Sequence, residues 1–128
     1  MAKDMHHLTV KRVYEKAEEN EYRILVDRLW PRGVSKKSAA IDLWLKDIAP
    51  SPELRKWFGH DPARFREFSS RYVEELEKTS AVSTFINILA EHAQVTLIYA
   101  AKDEAINHAV VLKNYIESRC KALTPTAK

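Results

Sequence analysis

Two short stretches hold most of the side chains fit for chemistry: Asp27-Arg28-Leu29-Trp30-Pro31-Arg32, and Lys102-Asp103 with Asn107-His108 a few residues on. The guanidinium groups of Arg28 and Arg32 match a planar anion through paired N–H donors, and Lys102 adds a point charge. Asp27, at the end of an apolar run, would orient Arg28 or serve as a general base. His108 is the residue type that exchanges protons near neutral pH, and Asn107 offers a donor and an acceptor to a polar ligand edge. Asp103 stands at a helix start, where free amides favour negative groups, and Trp30 between two arginines would line a pocket for a flat molecule. The combined reading is a site for a small anionic or nucleotide-like ligand. Its catalytic candidates are Asp27 and His108; its binding candidates are Arg28, Trp30, Arg32, Lys102, Asp103 and Asn107.

A structural alternative stands beside this. Arg28 would pair with Asp27 or Asp47 to staple loops, Lys102-Asp103 would decorate a helix start, and His108 would be a packing residue, since ion-pair networks use the same residue types. His60 would join His108 at a metal only if their loops converged, and no HExxH or clustered Cys/His spacing supports a metal site. The lone Cys120 falls near the end of a helical pattern and reads as a small packing residue with no identifiable base beside it. With Gly33 and Gly59 the only glycines, no phosphate loop, dinucleotide fingerprint or nucleophile elbow is possible, so no cofactor is expected.

The elements that must position these residues follow from hydrophobic pattern. Leu8–Val13 alternates loosely as a half-buried first strand, while Tyr22–Asp27 and Val95–Ala101 are apolar runs of strands covered on both faces. The link from Val13 to Tyr22 is short for a crossover, which leaves an antiparallel first pair open. Ile41–Ile48 fits neither period. Ser51-Pro52-Glu53 signals a helix start and Gly59 its stop; Asp61-Pro62 opens a long amphipathic helix through Phe65, Phe68, Tyr72 and Leu76. Ser80 reads as the cap of a further helix to about His92. Asp103 reads as the cap of the last, whose packing stripe is Ala105, Ala109, Leu112 and Ile116 and whose end carries Arg119 and Lys121. Strands separated by helices imply a small layered α/β domain over 8–121, its mostly parallel sheet flanked by helices, with polar and mobile ends at 1–7 and 122–128. Ligands of such sheets collect outside the carboxyl ends of the strands, where both reactive stretches fall.

The chain of 128 residues, 45% hydrophobic and 30% charged, suits one domain with one core. The net charge of +3 lies wholly in residues 1–64, which hold 13 basic and 10 acidic groups against 8 and 8 in the rest. Arg28, Arg32, Lys36 and Lys37 follow one another with no acid between them. With a pI near 9.0 this raises a rival reading, a nucleic-acid-binding module using Arg28 to Lys37; a third is a non-catalytic interaction or regulatory protein. No apolar run has the length of a signal peptide or membrane span, so a cytoplasmic protein is expected. Oligomeric state is not legible.

The strings Leu25-Val26-Asp27-Arg28-Leu29-Trp30-Pro31-Arg32-Gly33, Trp44 through Asp61, and Tyr99-Ala100-Ala101-Lys102-Asp103 with Asn107 and His108 closely resemble the YeaO-like branch of the DUF488 family, a domain of unknown function. The resemblance runs from about Val10 to Ile116. It implies a small α/β domain and almost nothing about activity. In the wider family the last strand is followed by a Glu and a Cys-His-Arg motif; Asn107-His108-Ala109 stands there in this chain, so thiol chemistry is not carried over. The resemblance transfers Asp27, Arg28, Arg32 and His108 as site candidates.

Overall fold

The computed structural model describes residues 7–123, with side chains from 8 to 120. The chain runs β1 (His7–Arg12), β2 (Tyr22–Leu25), α1 (Lys36–Ala39), β3 (Leu43–Trp44), α2 (Pro52–Phe58), α3 (Phe65–Leu76), α4 (Ala81–Glu91), β4 (Gln94–Tyr99) and α5 (His108–Leu123). Single 3-10 turns at Lys46–Ile48 and Pro62–Arg64 precede α2 and α3. The polar ends expected to be mobile, and the side chain of Lys121, lie almost wholly outside the described residues.

The sheet order is β1-β4-β2-β3 and every pairing is parallel. The antiparallel first pair therefore does not occur: β4 comes between β1 and β2, so the short Val13–Tyr22 link spans a gap instead of turning a hairpin. Ile41–Ile48, which fits neither period, contains a two-residue edge strand followed by a 3-10 turn. Ile24, Val26, Val95, Leu97, Tyr99 and Leu8 join the apolar stripes of α2 to α5 in the main core. Leu25, Ile98 and Val13 form a smaller cluster with Ala39 of α1, flanked by Trp30 and Trp44. Among the described residues no helix is long and apolar enough to cross a membrane.

Several caps follow their residues. Ser51 accepts from Leu54 N, Pro52 opens α2, and Gly59 closes it in the left-handed region. Asp61 accepts from Ala63 N at the turn leading to α3. Ser80 does not cap α4 with its side chain, because its own backbone is already helical; Thr79 Oγ1 accepts from Ala81 N in its place. Asp103 does not cap α5 either. It accepts from Ala105 N and Ile106 N, closing a separate turn, and Asn107 Oδ1 takes the capping bond from Val110 N. Ala105 is thus exposed and outside the helix, and the buried stripe is Ala109, Leu112 and Ile116.

Away from the carboxyl ends of the strands, a buried ion network holds the smaller face. Glu21, with no exposed side-chain surface, meets Lys11 Nζ at 2.9 Å and Arg23 Nη1 at 3.4 Å, and accepts from Thr96 Oγ1. Arg23 also donates to the carbonyls of Ala39 and Glu15. Burial alone would raise the Glu21 carboxyl, but the bonds from Thr96, Glu18 N and Lys11 overcome it and hold it at about 2. A carboxyl lowered in the folded state stabilises above its unfolded pKa and loses that contribution as pH falls through the folded one. Glu21 should therefore supply a few kcal/mol at neutral pH that disappears between about pH 4.5 and 2. In urea unfolding followed across that window, Glu21→Gln should be less stable than the parent at pH 7 and show a flatter decline; an identical pH profile would remove Glu21 from the account. Ser51 both caps α2 and is held by Glu75 of α3, through Ser51 N to Oε1 at 2.8 Å and Ser51 Oγ to Oε2 at 2.6 Å. Ser51→Ala is expected to cost roughly 1–2 kcal/mol by denaturant melting.

Candidate functional site

The carboxyl ends of β2 and β4 open on a cavity of about 560 Å³. β2 delivers Asp27, Arg28 and Leu29 to it; β4 delivers Ala100, Ala101, Lys102 and Asp103; α2 and its exit add Arg55, Phe58 and His60. Parallel pairing of β2 and β4 in register explains the convergence, since Leu25 lies opposite Ile98 and both chains leave the sheet at one level.

Asp27 joins the two halves. Its Oδ2 accepts from Ala100 N at 3.1 Å, and its Oδ1 lies 3.1 Å from His108 Nε2. The same nitrogen is 3.0 Å from Val26 O, and the better-aligned bond goes to that carbonyl, so Oδ1 sits beside the ring as a buried oxygen without a hydrogen bond of its own. Asp27 thus contacts His108 and Ala100, and among the described residues it makes no ion pair with Arg28. His108 is the first residue of α5, not one turn inside it, and its ring stands edge-on to Tyr72 at 6.2 Å.

Arg28 is not paired with Asp27 or Asp47. Its Nε donates to Pro50 O at 3.2 Å and its Nη2 to Ala49 O at 3.1 Å, leaving Nη1 without a partner among the described residues. The segment that receives it is itself fixed by α3: Tyr72 OH donates to Ile48 O at 2.7 Å and Glu75 holds Ser51. Burial, then the nearby Glu75 and Asp27 carboxylates, pushes the Tyr72 hydroxyl well above its ordinary range, so it remains a donor. Lys102 and Arg55 are exposed and have no ion pair among the described residues. The cavity thus carries three cations, of which Arg28 is held by hydrogen bonds. Of its two carboxylates, Asp27 is engaged with Ala100 and His108, and Asp103 is turned onto the amides of its own loop, which lower its pKa. Apolar wall comes from Leu29, Ala49, Pro50, Phe58 and Phe68, with the last two rings stacked at 4.2 Å.

Not every candidate arrives. Arg32 is exposed on the following loop and does not line the cavity. Trp30 is also outside it, with Nε1 donating to Val34 O and its ring edge-on to Trp44 at 5.5 Å, so it anchors the smaller core and offers no stacking platform. Asn107 lines the cavity but is 1% exposed, with its amide donating to Asp103 O as its oxygen caps α5; it is a structural cap, not a free ligand edge. His60 and His108 do line one cavity, yet among the described residues no group of three His, Cys, Asp or Glu could hold a metal ion. Sequence reasoning did not single out Arg55, which lines the cavity from the exposed side of α2, one turn before Gly59. His60 has φ of 59°, the second left-handed residue in a row, a costly conformation for a non-glycine residue that sets it at the cavity.

The family model described as "Inactive DUF488-N3 subclade" matches residues 7–127. The uncharacterised protein YeaO of Escherichia coli (strain K12) is 42% identical over 113 residues, 88% of this chain and 98% of its own. The uncharacterised protein Rv3073c of Mycobacterium tuberculosis (strain ATCC 25618 / H37Rv) is 42% identical over 111 residues, 86% of this chain and 93% of its own. No solved structure matches the chain at a significant level. A match over nearly the whole chain, with relatives 42% identical over most of both lengths, places this protein in the DUF488 family, as a YeaO-like member.

Proposed function

We propose that this protein is a cytoplasmic receptor for a small anionic molecule with a flat apolar body, bound without chemical conversion. The observation that carries the reading is one cavity lined by Arg28, Arg55 and Lys102, with no carboxylate paired to them among the described residues, above a wall of stacked Phe58 and Phe68. Cations that keep donors free, as Arg28 keeps Nη1, favour a carboxylate or phosphate, and apolar walls supply most of the affinity for the body of the ligand. Binding without turnover is supported by two points. The matching family model is described as inactive, and the place of a thiol in the wider family's motif is taken by Asn107, whose side chain is spent on capping α5. His108 and Asp27 then serve recognition.

The test uses benzoate and inorganic phosphate as probes, followed by amide shifts in NMR titration. Benzoate is expected to perturb Arg28, Phe58, Lys102 and His108, with affinity that falls as salt is added. Lys102→Ala and Arg55→Ala should each weaken it roughly two- to fivefold at unchanged melting temperature, the range for exposed charges. Arg28→Ala should abolish binding and also lower stability by about 1–3 kcal/mol, because two carbonyls lose their donor. Affinity indifferent to all three substitutions, or shifts confined to other surfaces, would refute the receptor reading.

A further inference from the structure

The orientation of His108 says more about the ligand than the cations do. Its Nε2 lies 3.0 Å from Val26 O and 3.1 Å from Asp27 Oδ1. A carbonyl and a carboxylate oxygen only accept, so the nitrogen facing both must carry a proton. In the neutral ring that assignment leaves Nδ1 with a lone pair. Among the described residues the sole buried side-chain nitrogen or oxygen without a hydrogen bond is Asp27 Oδ1, and Nδ1 has no partner either; Nδ1 is therefore open, on a side chain that lines the cavity. The ring has little freedom to turn over. Flipping it would replace the Nε2–H that faces the two acceptors with a ring C–H, and Tyr72 packs across its edge.

The groups facing His108 sort by element. From the end of β2 come Asp27 and Arg28, from α3 the neutral hydroxyl-bearing ring of Tyr72, from the β4 exit Lys102 and Asp103. Lys102 and Arg28 supply positive charge and N–H donors only. Asp27 has its oxygens turned to Ala100 N and His108, and Asp103 is occupied with its own loop. Nδ1 is thus the acceptor that the cavity offers to a molecule already anchored on the cations.

We propose that the pocket selects, among small flat anions, those that also bear an N–H or O–H donor, which His108 Nδ1 accepts. This rests on the receptor reading above and names its ligand class: a compact molecule with an anionic group at one edge and a donor at another, as in a heteroaromatic N–H acid. Asp27 is the positioning residue, fixing which ring nitrogen faces the pocket.

The experiment compares pyrrole-2-carboxylate with furan-2-carboxylate, which share shape and charge and differ in an N–H replaced by a ring oxygen. At pH 8, wild-type protein is expected to bind the pyrrole roughly fivefold more tightly, the worth of one net hydrogen bond. His108→Phe should bring the ratio close to one. Nitrogen-15 correlation spectra of the unliganded protein should show the His108 ring protonated at Nε2 alone. Equal binding of the two acids, tighter binding of the furan, or a proton on Nδ1 would overturn the selection while leaving the anion pocket standing. Failure of both acids to bind would overturn the pocket and the selection together. The wild-type comparison and the ring spectra decide the matter even if the His108→Phe chain does not fold.

Discussion

The site depends on the insertion of β4 between β1 and β2. Residues some 70 positions apart in the chain become neighbours because Leu25 and Ile98 stand opposite each other and both strands end there. One carboxylate then fixes the junction, with Asp27 accepting the amide of Ala100 and bracing the first residue of α5. Without that pairing the cationic ends of the two strands would be unrelated loops. With it, a partly buried hydrogen-bonded acid holds side by side the strand ends that carry Arg28 and Lys102, and braces the imidazole of His108.

Each cation in the pocket has a different degree of freedom. Arg28 spends two of its donors on Ala49 and Pro50 and so points its remaining face in one direction. Those carbonyls are held by a segment that α3 grips from beneath through Tyr72 and Glu75. Lys102 and Arg55 are tethered only by their backbones, at the rim. The pocket therefore combines one rigid contact with two adaptable ones, an arrangement suited to fixing the anionic group of a ligand while tolerating variation beyond it.

Much of the frame was legible in the order of residues. The apolar runs at Tyr22 and Val95, the cap and stop around Ser51 and Gly59, and the stripe from Phe65 to Leu76 are local signals, set by burial and backbone chemistry within a few residues, and they became the elements they suggested. The rule that ligands gather at strand ends brought Asp27, Arg28, Lys102 and His108 to one place. What escaped was long-range. Strand order depends on which sheet edge the last strand joins, and a short β1–β2 link looks the same whether it turns a hairpin or spans a gap. Arg32 looked equivalent to Arg28 because spacing along an irregular loop carries no direction. Asp103 and Asn107 are both good caps, and only the bend at Ala105 and Ile106 decides that the second one starts the helix.

The edge strand β3 is only two residues long, flanked by single bonds from Asp42 N to Arg23 O and from Leu45 N to Leu25 O. A foreign segment approaching that side finds almost no row of free amides and carbonyls to register against, and the chain immediately turns away into a 3-10 turn. The interior strands of this sheet are strongly apolar, the composition that fibrils recruit. A truncated border on that side leaves an added strand little to pair with, so this edge is guarded by its geometry.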